Sequence, residues 1–166
     1  MRQIQHVIEP QRPCRTSSPH WAYQQNGLLL IRSVFSPEEI DIFQREAHRM
    51  VDHAFQTCQN SNLDPGYNLR FEMLPNDQTW KVDPFISVLP LLTTVVTDRR
   101  IMDRLSSVYD GYEGVLFKAK LIFKPADSHG NGIHQDYNWW QGFPKSLLTV
   151  AVALDNTSRE NGYTEF

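Results

Sequence analysis

Cysteine is almost missing from this chain. Its two thiols, Cys14 and Cys58, lie far apart and in no metal-type spacing, which excludes a disulfide framework or thiolate cluster and suits free thiols in a reducing compartment. Long apolar runs are missing too: none approaches the roughly eighteen residues of a membrane span. Met1–Pro19 is too polar and too proline-broken for a secretory signal, so the cytoplasm is the expected compartment. No excess of one charge is present either. Sixteen Lys+Arg against nineteen Asp+Glu leave a formal charge of -3, with no basic block and no acidic tail, so no footprint for nucleic acid or an anionic membrane exists and small molecules are the expected partners. At 166 residues and 40% hydrophobic content, the chain suffices for one compact domain and is short for two.

Residues 1–20 combine Pro10, Pro13 and Pro19 with Arg, Ser and Thr and show no hydrophobic period. They are expected to form a flexible leader, with His6 and His20 solvated and a single domain over 21–166. Asn26-Gly27 marks a turn, and Leu28–Ile31 has the length and character of a buried strand. Ser36, Pro37 and Glu39 then supply a hydroxyl N-cap, a proline at the first helical position and a glutamate at the third, a capping box with Phe35 and Ile40 as staple. Ile40, Phe43, Ala47, Met50, Val51 and Ala54 recur at helical spacing and form the buried stripe. His48 and His53, five apart, lie on different faces and are not expected to share an ion.

Residues 59–75 read as a long loop interrupted by a brief strand at Leu69–Phe71, and loops of that length often cover a site. Asp83-Pro84 is read as a second helix start, with Ile86, Leu89, Leu92 and Val96 amphipathic despite Pro90. Asp98 is read as the cap of a third helix carrying Ile101, Leu105 and Val108 inward, with Gly111 behind its end. Helices thus precede strands, which points to an α+β fold rather than alternating βαβ units. In the strand-like run Leu116–Lys124, Phe117, Ala119, Leu121 and Phe123 share one face, plainly core, and Lys118, Lys120, Ile122 and Lys124 the other. A lysine-fringed solvent edge explains the second face as well as a binding role does.

The chemistry concentrates in Ser128–Trp140, S-H-G-N-G-I-H-Q-D-Y-N-W-W. In an extended segment His134 and Asp136 share a face, about 7 Å apart along the chain, so an imidazole and a carboxylate converge on one ion. Ferrous oxygenases hold their metal with two histidines and one carboxylate on one octahedral face, leaving the opposite face open. His-x-Asp provides two of these three donors. By itself the tripeptide more often marks a satisfied surface or turn histidine than a metal ligand. If the strand continues, Asn138 and Trp140 share the ligand face and Trp139 packs outward against protein. After this segment come the apolar strand Leu147–Leu154, Asp155 and the turn Glu160–Gly162.

The order F-K-x-K-L-I-x-K-P, then H-Q-D-Y-x-W-W, then A-L-D-N-x-x-x-E-N-G resembles the phytanoyl-CoA dioxygenase family of iron(II)/2-oxoglutarate oxygenases, from about Trp21 to the last residue. The resemblance implies a double-stranded β-helix, a cupin-like jelly roll buttressed by N-terminal helices. It implies an enzyme that takes Fe(II), 2-oxoglutarate and dioxygen and hydroxylates a small metabolite or acyl thioester, releasing succinate and CO2. His134 and Asp136 become the metal ligands and catalytic pair. Gln135, Lys118 and Lys120 become co-substrate contacts, and the alternation above, if the strand continues, adds Trp140 on the substrate side. Asp136 argues against the relatives that halogenate, which replace the acid by a small residue.

The resemblance has gaps. The family's distal histidine and the arginine that pairs with 2-oxoglutarate have no counterpart, because no histidine follows Asp136 and Arg159 comes too early. Ala151 also stands near where relatives commonly have Trp. The chain therefore reads as the N-terminal two-thirds of such an oxygenase, with an incomplete jelly roll and no activity as a fragment. Two other readings stand beside it: a non-catalytic domain with a vestigial site, and a cupin-like zinc protein in which His129 joins as a further ligand.

Overall fold

The computed structural model describes residues 18–58, 63–64, 69–73, 79–86, 89–126, 128, 130 and 132–165. Most of the leader, the bulk of the proposed covering loop and His129 lie outside them. Helix α1 (Pro19–Asn26) is opened by Ser18, whose Oγ accepts from Trp21 N at 3.2 Å, and closed by Gly27, whose φ of +69° is the left-handed turn that glycine takes without strain. It starts inside the stretch expected to be leader. His20 is accordingly not solvated: its Nδ1 lies 2.7 Å from Val108 O, on the helix that α1 packs against.

Helix α2 (Pro37–Cys58) begins with the capping box read from the sequence. Glu39 N donates to Ser36 Oγ at 3.2 Å and Ser36 N donates to Glu39 Oε2 at 2.7 Å. Its stripe is buried as expected at Phe43, Ala47 and Met50, while His48 is exposed. The sheet is a four-stranded antiparallel one in the order β1 (Leu63–Asp64), β2 (Leu69–Met73), β3 (Thr79–Asp83), β4 (Leu121–Ile122). The brief strand at residue 69 is real and longer than expected. Between β3 and β4 run α3 (Pro90–Val96) and α4 (Arg99–Val108). Val82, next to last in β3 and opposite Leu121, is wholly buried and packs with the α2 stripe, Phe85, Leu89, Leu92, Val95, Ile101 and Ala119 in one core.

Several expectations change. Asp83-Pro84 does not start a helix: Asp83 is the last ladder residue of β3, opposite Arg70, and its carboxylate is taken by Lys118 Nζ at 2.7 Å, so it is not available as a cap. The helix starts instead at Pro90, which stands in its first turn rather than interrupting it. Leu28–Ile31 is no strand, and Leu30 is half exposed, because no described segment offers it a ladder. In 116–124 the parity holds for Ala119, Leu121 and Phe123, but only Leu121–Ile122 is hydrogen-bonded into the sheet. Likewise 147–154 belongs to no sheet, although Val152 and Leu154 turn to the core and Ala151 and Ala153 to solvent with strand-like period. The described residues thus combine helices with one sheet, and the two facing sheets of a jelly roll are not assembled among them. No described helix is long and apolar enough to cross a membrane.

Two contacts organise the periphery. Asp98 caps α4 by accepting from Arg100 N at 2.7 Å, and the Arg100 guanidinium then binds both Asp98 oxygens, both Glu39 oxygens and Val34 O. This joins the first turns of α2 and α4, and the guanidinium also lies 4.5 Å from the Phe35 ring centroid. At the other end, Phe117 leaves the core face and gathers with Trp140 and Phe143, ring centroids 5.0 and 4.6 Å away. Trp139 is 73% exposed.

The Arg100 side-chain bonds hold Asp98 down to about 2 and Glu39 below its usual value. As pH falls from about 4, the unfolded chain takes up these protons before the folded chain does. Stability is thus fully present above the ordinary carboxylate range and lost as pH falls toward the folded value of about 2. Arg100→Met is expected to be less stable at pH 7, with the gap to wild type narrowing between about pH 4 and 2 in urea denaturation; a constant gap contradicts the clasp. Trp140→Ala is expected to cost up to about 3 kcal/mol and Trp139→Ala within about 0.5 kcal/mol, measured the same way.

Candidate metal centre

The segment that carries the site is short and mostly exposed. Gln135 is extended, with φ -114° and ψ 129°, so the side chains before and after it fall on one side. The chain then enters a single 3-10 turn, Asp136–Trp139, closed by Trp140 N on Tyr137 O at 3.0 Å. The strand expected to continue past Asp136 therefore does not. The alternation that was to put Trp140 on the ligand face and pack Trp139 outward loses its basis: Trp139 is in solvent and Trp140 sits in the aromatic cluster.

His134 and Asp136 do converge. His134 Nε2 lies 3.4 Å from Asp136 Oδ1. On the far side of the ring, His134 Nδ1 lies 2.7 Å from Gly132 O. A carbonyl can only accept, so Nδ1 carries the proton, and in a neutral imidazole Nε2 then holds a lone pair. A lone pair facing a carboxylate oxygen needs a positive charge between them: a second proton, making an ion pair, or a cation. Two donors at right angles and about 2.1 Å from one ion lie about 3.0 Å apart, close to the observed separation. Ring Nδ1–H donation to a backbone carbonyl is also how metal-ligating histidines are usually oriented. With 43% and 37% of their side-chain surface exposed, both remain accessible to an ion and a co-substrate.

Among the described residues Asp136 has one further partner, which sequence reading missed. Thr149 Oγ1 donates to Asp136 Oδ2 at 2.6 Å. Its only signal is that it is the one hydroxyl in the apolar run 147–154; no spacing rule ties it to a residue thirteen positions back. Among the described residues no group of three His, Cys, Asp or Glu side chains forms around this pair, and His129 is not among those described.

The remaining candidates separate. Lys118 is bonded to Asp83, a carboxylate only 12% exposed, and lies 5.3 Å from the Trp140 ring centroid. Lys120 is exposed and makes no such pair among the described residues. Gln135 is exposed, on the side of the chain away from His134 and Asp136.

No curated protein and no solved structure compared with the chain matches it. The family model of Phytanoyl-CoA dioxygenase (PhyH) matches residues 23–166, most of the chain and nearly the range over which the motifs resemble that family. The chain belongs to the phytanoyl-CoA dioxygenase family.

Proposed function

We propose that this chain carries the ligand half of an iron(II)- and 2-oxoglutarate-dependent dioxygenase acting on a small metabolite or acyl thioester in the cytoplasm. The single observation that carries the reading is that His134 Nε2 faces a carboxylate oxygen of Asp136, with the other ring nitrogen pinned to Gly132 O. Membership of a family whose members are typically 2-oxoglutarate-dependent dioxygenases supports it. His134 and Asp136 would hold the ion, which when bound supplies the redox chemistry that couples decarboxylation of 2-oxoglutarate to hydroxylation of a C–H bond. The family's cupin-like fold is the basis for placing this site inside a double-stranded β-helix closed by further strands.

Within this reading the two lysines divide. Lys118 is committed to Asp83 and, through its contact with the Trp140 ring, braces the turn that follows Asp136. Lys120, which makes no ion pair among the described residues, is left to meet the carboxylates of 2-oxoglutarate; Gln135, whose side chain points away from His134 and Asp136, is kept as a co-substrate contact by the family resemblance alone. The exposure of the His134–Asp136 pair and the lack of a third described donor favour a second reading, a non-catalytic domain in which the two form only an ion pair.

Metal and turnover assays distinguish them. Prepared anaerobically, the 166-residue chain is expected to bind Fe(II) weakly, to lose it on His134→Ala or Asp136→Ala, and to release no succinate from 2-oxoglutarate above the His134→Ala background. Joining a homologous C-terminal segment that carries the family's histidine and arginine should restore succinate formation. Robust turnover by the chain alone would sink the two-ligand reading and direct attention to His129. Failure of the joined protein to bind iron would favour the ion pair.

In that joined protein Lys120→Ala is expected to weaken 2-oxoglutarate binding by about 1.5–3 kcal/mol, the range of a charge-assisted hydrogen bond, as read by calorimetry. Lys118→Ala should instead lower folding stability by about 1–3 kcal/mol, since it strands a buried carboxylate. The reverse pattern would exchange their roles.

A further inference from the structure

The pair His134–Asp136 is held largely by its own neighbours. Among the described residues its polar contacts are Gly132 O for the imidazole and Thr149 Oγ1 for the carboxylate. Gly132 belongs to the same exposed segment and gives that segment no outside reference. Thr149 does. It lies on the run 147–154, whose two ends are tied to different helices: Tyr109 Oη, just past α4, donates to Ser146 O at 2.7 Å, and Gln44 of α2 donates to Leu154 O at 2.7 Å and to Asp155 Oδ1 at 2.8 Å. A hydroxyl on this anchored run reaches the oxygen of Asp136 that does not face His134.

We propose that Thr149 is a positioning residue that makes Asp136 a one-oxygen ligand, by occupying Oδ2 with its hydroxyl and turning Oδ1 toward His134 Nε2. This rests on the reading of His134 and Asp136 as metal ligands. An ionised carboxylate only accepts, so the hydroxyl must donate, and the Oδ2 lone pair it engages is withdrawn from the ion. The consequence is a count of positions. A facial site of two imidazoles and one carboxylate oxygen leaves three octahedral positions open. A carboxylate bound through both oxygens would take one of these three. Thr149 thereby preserves the open face on which the family's chemistry depends. Hydrogen bonding of a ligating carboxylate by an outer group is a general means of orienting it, and its loss costs about 10–100-fold in metal affinity.

The test uses Mn2+ as the probe, with bound and free metal distinguished by electron paramagnetic resonance, on wild type, Asp136→Ala, Thr149→Val and Thr149→Ser. Thr149 is exposed, so the near-isosteric Val leaves the fold in place. The expected result is an affinity about 10–100-fold lower for Thr149→Val, restored by Thr149→Ser. In metal-minus-apo infrared difference spectra, the Asp136 bands, identified by their absence in Asp136→Ala, should show a narrower splitting between the asymmetric and symmetric carboxylate stretches in Thr149→Val, as two-oxygen binding requires. If Asp136→Ala loses the metal while Thr149→Val binds as wild type, the proposal for Thr149 fails and the metal site stands. If Thr149→Ser does not restore affinity, or the infrared bands are unmoved, the hydroxyl has no orienting role and the proposal fails. If wild type binds no Mn2+, or Asp136→Ala binds it equally well, both the site and the proposal are overturned.

Discussion

One guanidinium joins the helical part of this protein. Arg100 binds two carboxylates that are each already employed at a helix start, Asp98 as the cap of α4 and Glu39 as the far member of the α2 capping box. The first turns of both helices carry unsatisfied N–H groups and partial positive charge, so the acids belong there in any case. Bringing two acids together is unfavourable unless a cation lies between them. The planar fork of arginine meets both, and the Phe35 ring beneath it is the residue that precedes the α2 cap. With the helix starts joined, the α2 stripe and Ile101 face one core, and Val82 of β3 closes it.

From that core the path to the site passes through contacts of decreasing burial. Asp83 ends β3 and is nearly buried; Lys118 neutralises it; Trp140 stands over Lys118 and against Phe117 and Phe143; and the turn carrying Asp136 leads into Trp140. A second route comes through the helices, from Gln44 and Tyr109 to the run that bears Thr149. The His134–Asp136 pair is thus steadied from both sides although its own segment is exposed. The function proposed for it requires such accessibility, and the two routes supply the rigidity that the segment lacks.

Local rules read the sequence well where one short stretch contains all the atoms involved. The capping box at Ser36 and Glu39, the Asp98 cap, the stripe Phe43–Ala47–Met50, the alternation at Ala119, Leu121 and Phe123, and the convergence of His134 with Asp136 across Gln135 are all of this kind. Errors fall where a local signal met a distant competitor. Asp83-Pro84 reads as a helix start, yet the Asp83 carboxylate is claimed by Lys118, thirty-five positions later. Leu28–Ile31 and 147–154 have strand composition, but a strand also needs a ladder partner, which composition cannot supply.

The sequence by itself determined the family, the meeting of His134 with Asp136 and the charge pattern of the 116–124 run, because motif order, short spacing and alternation are properties of neighbouring residues. Only the tertiary structure decided which lysine is committed, that the chain turns at Asp136 and leaves Trp139 in solvent, and that Thr149 holds the second carboxylate oxygen. Those outcomes depend on groups far apart in the chain meeting within hydrogen-bond distance, and no spacing along the chain encodes such a meeting.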